Sequence, residues 1–366
     1  MTDHDTVLVT GATGLVGGGI LMRMLRANPR LRAFVLVRDE IGWHAASHRL
    51  GNLAERIVPV RGDMTVVGLG LEDGARRRLA EEVTMIVHAA ADTSFSRPLD
   101  QARLANTQGT RELLSLSRIC GGLRRFAYVS TAFVAGRHRG LIREMDNGPA
   151  EGWVNSYEQS KYEAEALVRA SAADWVIFRP STIVCRGVEG SIPQINAVHR
   201  ALRVYYRGLA AMMPGGREDL LDLVTADYVN DAIARVTLDP RASRRTLHLC
   251  AGSAALPLGE LVDTAYELWA RDPMWRKRGI EKAVLTDLAT YTLFANAVIE
   301  TGDARLGAVL SSLSHFIPQL ALSKQFDTTV ADRLVGCAAP EVRTYWSAML
   351  AHLLAGNWGV VSERAA

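Results

Sequence analysis

Tyr157 and Lys161 stand four residues apart in Asn155-Ser-Tyr157-Glu-Gln-Ser-Lys161, a stretch that reads as the start of a helix. At that spacing both side chains share one helix face. An ammonium beside a phenol favours the phenolate and lowers its pKa, which makes Tyr157 a candidate proton donor and acceptor near neutral pH. Upstream, Tyr-Val-Ser-Thr-Ala at 128–132 ends an apolar run. There the Thr131 hydroxyl is placed to hold a carbonyl oxygen. A bare Y-x-x-x-K is common and is by default a solvated helix face. Its meaning depends on what else the chain brings to the same end of a sheet.

The positioning elements begin at residues 6–25, TVLVTGATGLVGGGILMRML. Thr6 to Thr10 reads as a short buried strand. Gly11, Gly14 and Gly17 follow at once, and from Leu15 a helical pattern puts Ile20, Leu21, Met24 and Leu25 on one face. Strand, glycine turn and helix together form a phosphate cradle, with free backbone N–H groups and a positive dipole end offered to a pyrophosphate. Gly11, Thr13, Gly14, Leu15, Val16 and Gly17 are the expected contacts. A second strand, Ala33 to Val37, ends in Arg38 and Asp39. An acidic residue there would bind a free ribose 2′-hydroxyl, whereas a guanidinium suits a 2′-phosphate. With Arg38 first, NADPH is expected over NADH.

Residues 41–56 read as a helix, on which His44 and His48 share a face without the Glu of a zinc-protease pattern. They are taken as surface residues, and no metal is expected. A third strand, Ile57 to Val60, leads to Asp63 and Met64, with Asp63 placed to accept from an adenine amino group. Glu72 to Glu82 is a helix, Met85 to His88 a fourth strand, and Ala89, Ala90 and Ala91 allow close approach of a ligand at its end. A helix from about 98 to 120 and a strand Arg125 to Ser130 follow, then the Tyr157 helix and a strand Trp175 to Arg179. Strands alternating with helices imply a Rossmann-type, doubly wound parallel α/β sheet, with ligands at the carboxyl ends of its strands.

Composition narrows the classes. The chain has 366 residues, 48% of them hydrophobic, and a net charge of +3 from 42 basic and 39 acidic residues. That balance gives no basic surface for nucleic acid. Cys120, Cys185, Cys250 and Cys337 are isolated, so neither a disulfide framework nor a zinc site is expected and a reducing cytoplasm fits. The first strand starts within a few residues of Met1, and no run of about 18 apolar residues occurs; neither a signal peptide nor a membrane span is expected.

The ordered set TGATGLVG, Gly62-Asp63, HAAA, the Asn106-Thr-Gln-Gly109-Thr110 helix, YVSTA and YEQSK resembles the extended short-chain dehydrogenase/reductases. HAAADTSF at 88–95, VSTAFV at 129–134 and NSYEQSKYEAE at 155–165 look most like the thioester reductase and fatty acyl-CoA reductase branch. The resemblance is strong over about residues 5–185, weaker to about 252 and faint beyond 255. It implies Thr131, Tyr157 and Lys161 as the catalytic set, with Lys161 also holding the nicotinamide ribose. It also implies Asn106 in the cofactor site, and Pro180, Thr182 and Ile183 beside the nicotinamide.

Residues 1–185, with 219–252 returning, would form the NADP-binding domain. Residues 186–218 and 253–366 would form a smaller, mainly helical substrate lobe. Within it, Trp275, Tyr291, Phe294, Phe316, Phe326, Tyr345 and Trp346 read as core, with an acyl channel as the other reading. The implied activity is NADPH-dependent reduction of an acyl thioester, on coenzyme A or on a carrier protein supplied in trans, to an aldehyde or alcohol. Arg137, Arg139 and Arg186 are candidates to meet a phosphopantetheine phosphate. The competing reading keeps the fold and makes the chain a two-electron dehydrogenase or epimerase of a ketone, sterol or sugar nucleotide. A non-catalytic scaffold would have no need of Thr131, Tyr157 and Lys161 together.

Overall fold

The computed structural model describes residues 5–146, 148, 151–302, 304–356 and 358. Seven parallel strands form its main sheet: β1 (Thr6–Thr10), β2 (Arg32–Val37), β3 (Ile57–Arg61), β4 (Met85–His88), β5 (Arg125–Val129), β6 (Trp175–Pro180) and β7 (Arg245–Leu249). Their order is β7-β6-β5-β4-β1-β2-β3. The order reverses between β1 and β4, and the crevice at such a switch point is where open α/β sheets bind ligands.

The apolar runs are continuous because helices cover both faces. Val7 and Val9 of β1 point into one core with Ile20, Leu21 and Met24 of helix α1 (Leu15–Ala27). Leu8 points the other way, into a core with Phe126 and Tyr128 of β5 and with Leu113 and Leu116 of helix α2 (Gly109–Ser117). Ala164 and Val168 of helix α3 (Ser156–Ala170) complete that second layer.

A separate core fills the lobe. It joins helix α4 (Ala197–Tyr206), helix α5 (Leu258–Trp269) and, after the segment Ile317–Leu320, helix α6 (Val342–Ala355). Trp275, Tyr291, Phe316, Tyr345 and Trp346 are buried in it, whereas Phe326 packs in a small cluster with Ile142 and Cys250, and Phe294 is half-buried.

Four elements differ from the sequence expectations. The helix over 41–56 is α-helical only for Glu40–Ser47; a tighter 3₁₀ stretch follows, interrupted at Gly51, whose φ is +54°. The helix from 98 to 120 carries a π-turn at Leu104–Gln108, around Asn106. Leu221 to Thr225, which reads as a single strand in the sequence, is broken at Asp222, and neither half joins the main sheet: Leu223–Thr225 pairs with Thr182–Cys185, and Leu220–Leu221 with Leu256–Pro257. The Asp222 carboxylate instead accepts from the Ala251 and Gly252 amides at 2.8 and 2.9 Å. The tail is not wholly helical: Val284–Thr286 pairs with Met212–Pro214, and Lys324–Phe326 with Gly140–Ile142. Strands of three residues are too short to show a periodicity. The helix Thr329–Val335 packs Ala331 and Val335 back into the main-sheet core.

Candidate active site

Helix α3 starts where its sequence dictates. Asn155 is the N-cap, its side chain accepting from the Glu158 amide at 3.1 Å, while Glu158 reaches back to accept from the Val154 amide at 2.9 Å. Two turns on, the buried Glu165 carboxylate receives a bidentate fork from Arg179 of β6, at 2.9 and 2.8 Å. Burial works to raise the Glu165 pKa, but the Arg179 and Arg169 guanidiniums hold it down to about 2. Arg179 also donates to the Asp146 carbonyl at 3.0 Å. Helix α3 is thus fastened to the sheet by a buried ion pair with satisfied hydrogen bonds.

Tyr157, Thr131 and Lys161 come together at the carboxyl end of β5, and all three are buried. The Thr131 side chain lies within electrostatic reach of the Tyr157 phenol, and the Thr131 oxygen accepts from the Phe133 amide at 3.2 Å. Lys161 donates to the Val129 carbonyl at 2.7 Å, with its Nζ 4.2 Å from the Tyr128 ring centroid. The expected lowering of the phenol pKa is not what this geometry produces. Burial pushes Tyr157 up to about 12, against the opposing effect of the Thr131 side chain, so its proton is retained far above neutrality. The lowered group is Lys161, brought down to about 7 by burial, with the Glu165 charge opposing. The ammonium faces a carbonyl and a ring rather than the phenol, which is why its charge does not favour a phenolate.

A directed hydrogen-bond chain underlies the site. Thr110 Oγ1 donates to the Asn106 carbonyl at 2.6 Å, so it accepts from His88 Nε2 at 2.9 Å. His88 Nδ1 then accepts from Thr10 Oγ1 at 2.8 Å, and that hydroxyl accepts from the Ala90 amide at 3.1 Å. Burial, then the Lys161 charge, pushes His88 down to about 3, which keeps it neutral and its tautomer fixed. The ends of β1 and β4 and the π-turn are locked in register. Asn106 is engaged throughout: its side chain accepts from the Asp92 amide at 2.8 Å and donates to the Asp92 carbonyl at 3.0 Å and to Ser160 at 2.9 Å. It fixes the loop after Ala91 against α3.

Along the crevice, Gly11 adopts φ +72°, and a Cβ there would lie 2.8 Å from the Ala90 nitrogen. A Cβ on Gly17 would lie 2.3 Å from the Gly11 carbonyl. Packing alone explains these two glycines. Gly14 is different: it is the N-cap of α1 with φ −84°, and a Cβ would meet only the Gly11 oxygen, at 3.3 Å. No side chain caps α1, and its first turn holds no acidic residue. That bare, 13-residue helix start beside Thr13, Leu15 and Val16 fits a pyrophosphate. Arg38 is exposed at the end of β2. The Asp39 carboxylate accepts from the Gly42 amide at 2.6 Å, so it serves the start of the following helix. Asp63 accepts from the Thr65 amide and hydroxyl, both at 2.8 Å, which hold its carboxyl below the usual range, with Arg38 adding to the effect. Half-buried Met64, Ala89 and Ala90 and exposed Ala91 continue the edge; Pro180 ends β6, and Thr182 and Ile183 open the separate strand Thr182–Cys185 that pairs with Leu223–Thr225.

The surroundings of Tyr157 are aromatic, a feature only Phe95 in HAAADTSF hinted at. Phe95 lies 5.6 Å from Tyr157, 6.3 Å from Phe133 and 6.5 Å from Phe316, ring centroid to centroid. Glu158 accepts from Gln319, which accepts from Lys324 at 3.0 Å, so a buried polar string ties α3 to the tail. Burial raises Glu158 to about 7 and lowers Lys324 to about 8. Neither Gln319 nor Lys324 carries a sequence signal, since both act across more than 150 residues of chain. Arg137 and Arg139 act electrostatically on this string, on Glu158 and Lys324 respectively. Arg186 lies apart: its carbonyl accepts from Asp227, and its charge acts on Glu189. His44 and His48 are exposed, their Nε2 atoms 3.1 Å apart. Among the described residues no group of three or more His, Cys, Asp or Glu could hold a metal ion, and no helix is long and apolar enough to cross a membrane.

Sheet order and glycine turn define a dinucleotide-binding α/β protein of the extended short-chain dehydrogenase/reductase type. More narrowly, the chain belongs to the NAD-binding family described as male sterility protein, whose model matches residues 9–233. It is 24% identical over 309 residues to fatty acyl-CoA reductase 8 of Arabidopsis thaliana, covering 63% of this chain and 62% of that protein. It is also 24% identical over 355 residues to the alcohol-forming fatty acyl-CoA reductase of Simmondsia chinensis, covering 74% and 72%. The chain thus spans under two thirds of the first of these relatives. Among solved structures, the terminal R domain from the myxalamid PKS-NRPS biosynthetic pathway superposes with a TM-score of 0.81 at 27% identity, covering 99% of this chain and 93% of that one.

Proposed function

We propose that this chain reduces an acyl thioester, carried on coenzyme A or on a carrier protein in trans, to an aldehyde or alcohol with NADPH. The observation that carries the reading is the buried Tyr157 phenol near Thr131, set against a cluster of phenylalanines. Two hydroxyls in an apolar setting suit a carbonyl oxygen that gains negative charge. The cluster leaves little to bind the hydroxyls of a sugar nucleotide. In this reading 1–185 and 219–252 serve the cofactor, and 186–218 and 253–366 the substrate. Three buried free cysteines fit a reducing cytoplasm.

When bound, the nicotinamide supplies hydride to the acyl carbonyl carbon. Tyr157 and Thr131 hydrogen-bond the carbonyl oxygen and stabilise the charge it gains. Tyr157 holds a proton for that oxygen, and collapse releases the thiol and leaves the aldehyde. Lys161 holds the nicotinamide ribose. The α1 N-terminus at Gly14 holds the pyrophosphate, and Arg38 faces the 2′-phosphate while Asp39 caps its own helix. Asn106 acts by fixing the loop after Ala91.

Incubating the protein and NADPH with dodecanoyl-CoA, an aliphatic ketone and a UDP-sugar, while following absorbance and free thiol, tests the proposal. Oxidation of NADPH with matching thiol release from the thioester is expected. Oxidation with the ketone alone overturns it in favour of a two-electron dehydrogenase.

A further inference from the structure

We propose that Gln319 and Lys324, from the C-terminal segment of the chain, are positioning residues for Tyr157: acting through Glu158 they hold the first turn of α3, so that reduction depends on them while cofactor binding does not. The inference rests on the reading of Tyr157 as the group that serves the carbonyl oxygen.

Glu158 follows Tyr157 directly and is fully buried. One of its carboxylate oxygens accepts from the Val154 amide at 2.9 Å, and the other from Asn155 Nδ2 at 3.0 Å and from Gln319 Nε2. Two of these donors lie just before Tyr157, and the third comes from 161 residues further on. Gln319 Oε1 in turn accepts from Lys324 Nζ at 3.0 Å. An ammonium only donates and a carboxylate only accepts, so the Gln319 amide satisfies both ends in one orientation and neither when flipped. A buried carboxylate and a buried ammonium are thus joined through one neutral side chain. The ammonium end is anchored independently. Lys324–Phe326 pairs with Gly140–Ile142, and Ser323 accepts from the Gly140 amide on its carbonyl and from the Leu220 amide on its hydroxyl, both at 3.0 Å.

Without the Gln319 amide, two opposite charges would stay inside the protein, each short of a partner. Glu158 would then relax by taking up a proton or by turning toward Lys324. Either change loosens its hold on the Val154 amide and on the Asn155 side chain, and Tyr157 sits between Asn155 and Glu158. A misplacement of about 1 Å at a reacting group costs on the order of 10²-fold in rate. The charges around the string are those of Arg137, acting on Glu158, and Arg139, acting on Lys324, while the Glu158 charge itself acts on the Tyr157 phenol. Lys161 is held separately, by the Val129 carbonyl, and the glycine turn lies at the end of β1. Dinucleotide affinity is therefore expected to survive a broken string.

Two variants of Gln319 test this, each by the single-turnover rate of NADPH oxidation with saturating dodecanoyl-CoA and by NADPH affinity from calorimetry. Gln319→Leu removes both hydrogen bonds at similar volume. Its rate is expected to fall about 10- to 100-fold, with NADPH affinity within about threefold of wild type. Gln319→Glu keeps an acceptor for Lys324 but donates to Glu158 only while the two carboxyls share a proton. Its rate relative to wild type is expected to be near normal at acid pH and to fall as that proton is lost, a dependence that a space-filling role would not produce. A Gln319→Leu rate within about threefold of wild type, equal losses of rate and NADPH affinity, or a Gln319→Glu deficit that does not change with pH would overturn the proposal. Should Gln319→Leu not fold, Gln319→Glu decides alone. If the wild type reduces no acyl-CoA, the thioester reading fails and the string is judged by amide hydrogen exchange. Gln319→Leu, or Gln319→Glu at alkaline pH, should then exchange the Val154 and Glu158 amides more than about tenfold faster than wild type at the same pH, with the last turn of α3 unchanged. Equal exchange at Val154 and Glu158 contradicts the assignment.

Discussion

The sheet region and the lobe core differ in the balance of polar and aromatic groups that they bury. At the carboxyl ends of β1, β4, β5 and β6, His88, Asn106, Thr110, Lys161, Glu165 and Arg179 are all inside, each with a named partner. In the lobe, Tyr205, Trp269 and Trp275 pack ring against ring, with centroids 5.1 to 6.0 Å apart. A satisfied polar network is costly to rearrange, because each lost partner leaves a buried group unpaired. An apolar packing tolerates changes of shape so long as volume is kept. Under the proposed function, the first region would hold reacting atoms still and the second would be adjusted to a substrate. Changes in the sheet region should act on every substrate alike, and changes in the lobe should sort substrates from one another.

The sharpest break is at the glycine turn. Gly14→Val places a branched side chain at the α1 N-terminus, where the protein itself offers a Cβ no neighbour nearer than the Gly11 oxygen at 3.3 Å. A folded protein with no dinucleotide binding by calorimetry is expected. Gly11→Val, at φ +72° and with a Cβ 2.8 Å from Ala90, should instead damage folding itself. Retained binding in Gly14→Val would remove the phosphate from this turn.

Arg38→Ala should weaken NADPH by about 10- to 100-fold, the range for a hydrogen bond to a charged group, and leave NADH nearly unchanged. Titration of both cofactors reads this directly. Equal losses would make Arg38 structural. Because Asp39 is occupied with the Gly42 amide, Asp39→Asn should change the preference little.

A smaller effect distinguishes the regions by stability. Lys161 is brought from an ordinary value of 10.5 to about 7 by burial. Between about pH 7 and 10 the folded chain then binds fewer protons than the unfolded one, so stability rises with pH over that window. The slope approaches about 1 kcal/mol per pH unit for one proton. Denaturant unfolding across the window should show this rise in wild type, with Lys324 adding to it above about pH 8, and a shallower rise in Lys161→Met. The same slope in both proteins would mean that Lys161 is not the group responsible.

How much was legible in the sequence follows the same division. Gly11, Gly17 and the Tyr157–Lys161 spacing are constrained by local backbone geometry, and local constraints leave local patterns. The seven-stranded sheet followed from the alternation of its strands and helices. The π-turn at Asn106 did not, because its cause is a set of hydrogen bonds to Asp92 and Ser160 from elsewhere in the chain. Gln319 and Lys324 reach the catalytic helix from a segment whose periodicity says only that it is apolar. The direction of the Tyr157 shift could not be read from i, i+4 spacing. It is set first by burial of the phenol, which residue spacing does not encode.

The central claim is that Tyr157 and Thr131 act as one hydroxyl pair on a thioester carbonyl, and a double-mutant cycle on single-turnover reduction of dodecanoyl-CoA by NADPH tests it most directly. Tyr157→Phe should cost on the order of 10²–10⁴ in rate, as for a positioned acid–base group, and Thr131→Val roughly 10²–10³, as for an oxyanion donor. The double variant should lose much less than the product of the two, because groups acting as a unit are non-additive. Tyr157→Phe retaining the wild-type rate within about threefold, a difference below 1 kcal/mol, or fully multiplicative losses in the double variant, would contradict the account.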